Sequence, residues 1–434
     1  MTATIQAAEI SYHLMVCSLP AAVKRGGEAG CKDNTAGAGH EDDLMTRSTR
    51  RGARVSLACL TLLTLAACGD PEPPSRAGHL VIIGGGLSAD NAEIHDRMVE
   101  LVGEQGLWAV LPTASTAPAT VGPRTAARLR EAGAEAKVID IRAEDEPKAR
   151  NPDYGQAIAG ARGLFFTGGS QDRIVEVFRP KQGDTPAYQS MRALLNSGGV
   201  IAGTSAGAAV MSNPMIERGD AATALTLGRA YGADPAAEDG ITIDKGMGFF
   251  PYGLTDQHFL TRGRLGRLIV ALEATPFTRG YGIDDNRAIH VDLGSARIEA
   301  IGGPQGLLLL DSIDVRRDRE GQRGLRVALL GGGDLVDGLS GRVSPARGKV
   351  PAGRPTGSLQ ELPVFEDAWA ANAIRELILL LAQNPAREAV ALDASYELRF
   401  TEDEETQYWL AADADAATLT VIGLRLDLER RDDR

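Results

Sequence analysis

The chain has 434 residues, of which 58 are Asp or Glu and 46 are Lys or Arg, so its formal net charge is −12. This acidic balance, with no dominant basic patch, excludes nucleic acid as an expected partner. All four cysteines lie within the first 68 residues, and the later histidines are widely spaced. We therefore expect neither a disulfide nor a zinc site in the main part of the chain, and no other cofactor.

The N-terminal segment is typical of a targeting sequence. Four arginines between residues 47 and 54 precede an apolar run at 55–67, which is shorter than the roughly 20 residues of a spanning helix. The run ends in Leu65-Ala66-Ala67-Cys68-Gly69, which resembles the lipobox of bacterial lipoproteins. We therefore predict export, with lipidation of Cys68 anchoring the protein to the membrane, in the periplasm or at the cell surface. The alternative is an ordinary secretory signal, which would give export without the anchor.

Residues 1–44 show no hydrophobic period, and Met45 is a better start for such a signal. We therefore interpret residues 1–67 as an over-extended start followed by a signal peptide. Residues 68–78 contain three prolines and are predicted to form a linker, so that the globular part begins at His79.

Strand-like and helix-like segments alternate from His79 onward. The predicted helices cover residues 91–103 and 123–132, and the predicted strands cover residues 80–83, 107–111, 136–141 and 163–166. Alternation with continuously apolar strands predicts an α/β fold, in which helices sandwich a doubly wound, mostly parallel sheet. Ligands of such sheets bind beyond the carboxyl ends of the strands.

Three glycines, Gly84, Gly85 and Gly86, follow the first predicted strand and superficially fit a dinucleotide-binding turn. Such a site needs an acidic residue near the end of the second strand, where this chain has the run Pro112 to Ser115. We therefore reject a nucleotide-dependent oxidoreductase and interpret the glycines as a turn that allows close helix packing.

The pentapeptide Gly203-Thr204-Ser205-Ala206-Gly207 has the pattern of a nucleophile on a sharp turn between a strand and a helix. An apolar run at 199–202 precedes it, and helix formers follow it. Glycine at 203 and 207 tolerates strained dihedral angles and allows a close approach of strand and helix. Ser205 is therefore a candidate nucleophile, with a plain small-residue turn as the alternative.

An oxyanion hole is predicted close to Ser205. The strand at residues 163–166 leads to Gly168 and Gly169, which would lie at the same edge of the sheet. The backbone N–H groups of Gly169 and Ala206 are the candidate donors to a developing oxyanion.

A histidine followed by three arginines forms a second polar group, His258 with Arg262, Arg264 and Arg267. Guanidinium groups bind carboxylates, so the group is predicted to recognise an acidic part of a substrate. If the segment is helical, Arg262 lies one turn after His258, and Arg267 lies near Arg264. The alternative is a solvated helix face.

Asp284 and Asp285 follow another predicted strand and should point in opposite directions, so only one is expected to reach His258. The order Ser205, His258, Asp285 supplies a nucleophile, a base and an orienting acid. It differs from the order serine, acid, histidine of the α/β-hydrolases.

Four motifs in this order closely resemble peptidase family S51 and its cyanophycinase branch. They are Gly168-Gly169-Ser170-Gln171, Gly203 to Ala208, Asp256 to Phe259 with the three arginines, and Gly282-Ile283-Asp284-Asp285. The resemblance covers about residues 79–343, which we interpret as the catalytic domain. It implies a fold similar to class I glutamine amidotransferases. It also implies a serine peptidase that hydrolyses cyanophycin to β-Asp-Arg dipeptides through an acyl-serine, without metal.

The resemblance also assigns residues. It implies that Ser205 is the nucleophile and His258 the general base. The implied substrate pocket is formed by Gln171, Asp256, Gln257, Arg262, Arg264 and Arg267.

Two positions depart from the family's pattern. The family usually has glutamate where this chain has Asp285, so the shorter side chain predicts a longer hydrogen bond to His258, unless Asp284 serves instead. The asparagine that usually precedes the pocket glutamine is replaced by Ser170.

Beyond residue 343 the resemblance fades. Residues 344–434 are predicted to be a C-terminal extension of unknown role, with a helix over 368–383 and strands near 396–400 and 418–426. It would be a small packing module or an interface.

The expected partners are cyanophycin or another peptide and, through the lipid anchor only, the membrane; a homodimer is compatible with the sequence. Two alternatives stay open for the function. One is a peptidase for isoaspartyl or aspartyl peptides, and the other is a surface binding protein with a decayed site.

Overall fold

The computed structural model describes residues 77–103, 106–231, 240–357, 361–411 and 419–431. These ranges fall within one unit, Gly69–Arg434. The predicted signal sequence, Cys68 and most of the predicted linker lie outside the described residues. Within the described ranges, every helix is too short or too polar to cross a membrane.

Helices cover both faces of the sheet that carries Ser205. The helices of the described ranges are α1 (Ala92–Val102), α2 (Pro118–Glu131), α3 (Glu146–Arg150), α4 (Pro152–Ala159), α5 (Gln171–Phe178), α6 (Pro186–Asn196), α7 (Ala206–Ala209), α8 (Ala221–Leu227), α9 (Leu265–Ala274) and α10 (Ala373–Ala382).

The first sheet has nine strands. In spatial order they are β17 (Val343–Ser344), β16 (Leu335–Asp337), β12 (Arg297–Ile301), β11 (Ala288–Asp292), β1 (His79–Ile83), β5 (Val200–Thr204), β4 (Gly163–Phe166), β2 (Leu107–Leu111) and β3 (Glu135–Val138). Strands β1 to β5 run parallel, and the others pair antiparallel.

The continuously apolar strand β1 is buried on both faces, as the sequence predicts. Leu80 and Ile82 pack in a cluster with residues of α4, α5 and α6, whereas Val81 and Ile83 pack with residues of α1 and α2. Alternate side chains of β1 therefore pack against the helices on opposite faces of the sheet. The predicted α/β fold with helices on both sides of a parallel sheet is confirmed.

A second, mainly antiparallel sheet was not predicted. Its path is β18 (Lys349–Pro351), β21 (Gln407–Ala411), β22 (Thr420–Arg430), β15 (Gly321–Leu330), β13 (Leu307–Asp311), β10 (Arg279–Ile283) and β9 (Leu254–Gln257). Strand β14 (Arg316–Arg317) joins β15, β20 (Tyr396–Thr401) joins β22, and β19 (Glu388–Leu392) joins β20. A small third sheet contains β6 (Met215–Gly219), β8 (Ile241–Asp244) and β7 (Arg229–Tyr231).

Two parallel strand pairs end at the candidate site. In the first sheet β1 pairs with β5, with Ile83 opposite Thr204, and in the second sheet β9 pairs with β10, with Gln257 opposite Ile283. The carboxyl ends of parallel strands meet at one edge. The residues that follow are therefore neighbours, Ser205 with Gly84 in the first sheet and His258 with Asp284 in the second.

Strands from Lys349 onward extend the second sheet, and a buried ion pair connects them to the first sheet. Asp334, which precedes β16, is fully buried and accepts hydrogen bonds from Lys349 Nζ at 2.8 Å and Thr420 Oγ1 at 2.6 Å. Lys349 begins β18, and Thr420 begins β22. The C-terminal strands are thus connected to the first sheet through one carboxylate.

We expect Lys349→Met to lower the free energy of unfolding by about 3 kcal/mol, because it leaves the buried Asp334 carboxylate without its cation. Urea denaturation at pH 7 measures this loss. Arg150→Met is the control, since it breaks a half-exposed pair with Glu146, and such pairs contribute about 0.5 kcal/mol or less. Equal losses in the two variants would contradict the structural role of the Asp334 ion pair.

Candidate active site

Ser205 lies on a sharp turn between β5 and α7. Its φ of 55° and ψ of −111° are strained for a residue with a side chain. A Cβ at Gly203 would overlap the backbone of Gly207, and a Cβ at Gly207 would overlap that of Phe166. The predicted close approach of strand and helix is therefore present. The strained dihedral angles, however, belong to Ser205 itself and not to the glycines.

The structure brings Ser205, His258 and Asp285 into one hydrogen-bonded chain. Ser205 Oγ lies 2.8 Å from His258 Nε2, and His258 Nδ1 bonds to Asp285 Oδ1. Because a carboxylate only accepts, Nδ1 carries the proton, and Nε2 is left to accept the serine hydroxyl. The expectation that aspartate would give a long bond is wrong, since the Asp285 carboxylate reaches the imidazole directly.

Asp284 points away from His258. Its Oδ1 accepts the Thr261 N–H at 2.8 Å, and its Oδ2 lies 3.9 Å from Arg375. The residue is only 3% exposed. Asp284 therefore holds the loop that follows His258, and the alternative in which it orients the imidazole is wrong.

The Gly84–Gly86 turn supports the histidine and the aspartate. The Gly84 carbonyl accepts a hydrogen bond from the His258 N–H at 3.0 Å, and the Gly85 carbonyl accepts one from the Asn286 N–H at 2.7 Å. A Cβ at Gly85 would overlap the His258 ring, and one at Gly86 would lie 3.3 Å from the Asp285 carboxylate. These glycines therefore make room for the His258 and Asp285 side chains, and not for the close helix packing that the sequence suggests.

Two of the predicted pocket residues, Asp256 and Arg267, are already paired with each other. Arg267 Nε donates to Asp256 Oδ2 at 2.8 Å. Its Nη2 donates to Asp256 Oδ1, and its Nη1 donates to the Gly219 carbonyl. Both residues are at least 97% buried. They are therefore placed to shape the pocket and not to bind substrate directly.

Gln257 and the two other arginines keep hydrogen-bonding capacity. Gln257 Oε1 is buried without a partner, and Arg262 is exposed. Arg264 donates to the Gln257 carbonyl at 2.5 Å, and burial lowers its pKa to about 10. Helix α9 begins only at Leu265, so His258 and Arg262 do not lie on a regular helix, although Arg262 does lie one turn after His258 as expected. An i+4 turn bond joins their backbones.

Gln171 begins α5 and turns its amide towards β6. Its Nε2 donates to the carbonyls of Ile216, at 3.2 Å, and Glu217. Among the described residues, Asp172 Oδ1 and Glu217 Oε2 are buried without a hydrogen-bond partner, while the other oxygen of Glu217 is ion-paired with Arg218. An acidic group therefore lies next to the predicted pocket glutamine.

The predicted oxyanion donors flank Ser205. Gly168 packs against the serine, since a Cβ there would lie 3.3 Å from Ser205 Cβ, and Gly169 follows it with a φ of 146°. Ala206 is the first residue of α7. The N–H groups of Gly169 and Ala206 take part in no backbone hydrogen bond of the described loops and turns. Their role in binding an oxyanion stays a prediction.

The surroundings of His258 lower its pKa. Burial is the main cause, the Asp285 carboxylate opposes it, and the positive charges of Arg262 and Arg264 add to it. The imidazole therefore stays neutral to a lower pH than an ordinary histidine, as a general base requires.

The model of peptidase family S51 matches residues 80–299. The chain belongs to this family. The cyanophycinase of Geminocystis herdmanii is 33% identical over 214 residues, which cover 49% of this chain and 72% of that protein. The cyanophycinase of Trichormus variabilis is 35% identical over 179 residues, which cover 41% of this chain and 54% of that protein.

Two solved structures are similar. A peptidase from an acI-B1 actinobacterium has a TM-score of 0.43 and 19% identity, and the match covers 60% of this chain and 97% of that chain. A putative peptidase E of Listeria monocytogenes has a TM-score of 0.34 and 16% identity, covering 49% and 94%. From the family match, this S51 member is a peptidase of the cyanophycinase type, with an α/β fold like that of class I glutamine amidotransferases.

Several residues around the S51 site were not identified from the sequence. Gly85 and Gly86 were visible as a glycine turn, but only the tertiary structure places them against His258 and Asp285. Arg375 lies more than 90 residues after Asp284 and carries no local motif. Long-range contacts of this kind leave no periodic signal in one sequence.

We expect Gly85→Ala to slow labelling of Ser205 by a fluorophosphonate at least ~100-fold, because the added methyl group displaces the general base. Gly103→Ala is the matched control. It also forces a side chain onto a positive φ, but no atom of the described residues lies within 4 Å of the new atom. Mass spectrometry of the labelled protein gives both rates, and similar rates would contradict the placement of His258 by Gly85.

The acid limb of the pH profile of kcat/KM should move to higher pH in Arg262→Gln. The folded-state pKa of His258 is lowered, and removing one of the cations that lowers it allows protonation at higher pH. Arg262→Lys keeps the charge and should keep the limb in place. An unchanged limb in Arg262→Gln, or a shift to lower pH, would contradict a lowering of the His258 pKa by the charge of Arg262.

Proposed function

We propose that this protein is an exported serine peptidase that hydrolyses cyanophycin to β-Asp-Arg dipeptides. The observation that carries the proposal is the hydrogen bond of 2.8 Å between Ser205 Oγ and His258 Nε2, with Asp285 bonded to the other ring nitrogen. This arrangement makes a serine hydroxyl nucleophilic without a metal ion. It also argues against a binding protein with a decayed site.

The proposed reaction is acyl transfer through Ser205. His258 Nε2 takes the hydroxyl proton while Oγ attacks the carbonyl carbon, and the oxyanion is bound by the N–H groups of Gly169 and Ala206. The tetrahedral intermediate collapses, the C–N bond breaks, and His258 gives its proton to the leaving amine. Water then attacks the acyl-serine with His258 as base, which releases the acid and restores the Ser205 hydroxyl.

The charges around the predicted pocket residues suit a zwitterionic substrate. A β-Asp-Arg unit carries both carboxylate and guanidinium groups. Arg262 and Arg264 follow His258 and are suited to carboxylates. The partnerless oxygens of Asp172 and Glu217 are suited to a guanidinium group, since a buried carboxylate oxygen gains most from a charged donor.

The aligned region spans 72% of one cyanophycinase and 54% of another, and the arrangement of charges fits a second function as well. A peptidase for short isoaspartyl or aspartyl peptides would use the same arginines for its substrate carboxylate. Glu217 separates the two functions, because a substrate with an arginine side chain gains from an acidic acceptor, and Glu217 offers the oxygen that Arg218 does not bind.

We also infer export and lipid anchoring from the sequence Leu65-Ala66-Ala67-Cys68-Gly69. In a bacterial host, labelled palmitate should enter the full chain and should not enter Cys68→Ala. Label in the Cys68→Ala variant would contradict the anchor.

Purified wild-type protein should release β-Asp-Arg from cyanophycin, and Ser205→Ala should release none while its thermal unfolding is unchanged. Chromatography with mass spectrometry identifies the product. Glu217→Gln should lower kcat/KM for cyanophycin at least tenfold and leave a β-aspartyl peptide without arginine unaffected. Turnover in Ser205→Ala would contradict the mechanism, and wild-type hydrolysis of only the arginine-free peptide would favour the second function.

A further inference from the structure

A cavity of about 320 Å³ opens directly beside Ser205. Its walls come from α1, α2, the Gly86-Leu87 turn and the residues that end β4 and β5. None of the six predicted pocket residues lines it. Ser205 is therefore adjacent to a second space that the proposed chemistry has not used.

Two arginines of α2 line this cavity and form no ion pair with any described residue. Arg124 and Arg128 lie one helical turn apart and are exposed, and neither approaches a carboxylate within 4 Å in the described parts of the chain. None of the lining residues is acidic. Like charges at this spacing repel each other, so an anion between them would be stabilised by both.

Buried polar atoms in the cavity wall also lack partners. Thr167 is 1% exposed, and its Oγ1 has no hydrogen-bond partner in the described part of the chain. His95 is 6% exposed; its Nε2 lies 3.1 Å from the Ser88 carbonyl, so Nε2 carries the proton, and Nδ1 is left as an acceptor without a partner. Buried polar groups are seldom left unpaired unless a ligand or water completes them. The wall therefore offers two cations, a hydroxyl and an acceptor.

We propose that this cavity is a second substrate subsite, in which Arg124 and Arg128 bind the carboxylate of a residue that flanks the scissile bond. The inference rests on the proposed peptidase function. Thr167 is placed to donate to the same residue, and His95 Nδ1 to accept a backbone N–H from it. Apolar lining residues such as Met98 and Phe165 would hold the aliphatic part of that residue.

The test compares a short β-Asp-Arg oligomer with the same oligomer in which the arginine carboxylates are amides. The double variant Arg124→Gln with Arg128→Gln should lower kcat/KM for the carboxylate oligomer about tenfold or more. It should change kcat/KM for the amide oligomer less than about twofold. Arg130→Gln is the control, because Arg130 is exposed on the same helix but does not line the cavity. Equal effects on both oligomers, or an equal effect of Arg130→Gln, would overturn the subsite.

A binding measurement separates this proposal from the proposed function. In a Ser205→Ala background, calorimetric titration with the intact carboxylate oligomer should show a Kd that rises about tenfold when both arginines are replaced. If wild-type protein hydrolyses neither oligomer but this difference in Kd is present, the subsite is supported and the peptidase function fails. If hydrolysis occurs and Kd does not depend on the arginines, the function stands and the subsite is overturned.

Thr167→Val gives an independent variant that should fold at least as well as wild type, because it removes a buried hydroxyl without a partner. The proposal predicts a several-fold loss in kcat/KM for the carboxylate oligomer with no loss of thermal stability. Unchanged kcat/KM would remove Thr167 from the subsite.

Discussion

The close approach of the Gly84–Gly86 turn to the His258 ring is the constraint on which the site depends. Strand β1 ends at Ile83, and the three glycines that follow it meet the ends of β9 and β10 without side chains in between. Backbone bonds from His258 and Asn286 to this turn fix the distance between the two sheets. The turn therefore lets a serine of one sheet bond to a histidine of the other.

The second sheet explains why the C-terminal residues bear on the site. The loop after His258 packs directly on the backbone of Trp369. This contact requires glycine at position 263, because a Cβ there would overlap the Trp369 carbonyl. The Asn372 N–H bonds to the Leu260 carbonyl at 2.8 Å, and Arg375 approaches Asp284. Residues that resemble no motif of the family thus support the segment that carries the proposed base.

Much of the first sheet could be predicted from the sequence, because buried parallel strands are continuous apolar runs. The strands at 107–111 and 163–166 have the predicted bounds, and Ser205 follows its strand as expected. Some antiparallel pairs of the second sheet join distant parts of the chain, such as β15 with β22 and β18 with β21. One sequence contains no signal for such pairings.

The residues of the candidate site can be predicted from the sequence where they lie in short local motifs. The contacts between their side chains cannot, because these depend on packing. The order of Ser205, His258 and Asp285 was visible in short motifs. Which of two adjacent aspartates reaches the imidazole depends on the direction of each side chain as β10 ends, which the structure settles in favour of Asp285. The pairing of Asp256 with Arg267 likewise follows from burial and not from spacing.

The central claim is that Ser205 forms a covalent bond to the substrate acyl group. Mass spectrometry of protein that is quenched in acid during turnover of cyanophycin, and then digested, tests it most directly. The account predicts an acyl adduct on the peptide that contains Ser205, which disappears as substrate is exhausted. An adduct on another side chain, or steady hydrolysis with the Ser205 peptide unmodified at every quench time, would contradict it.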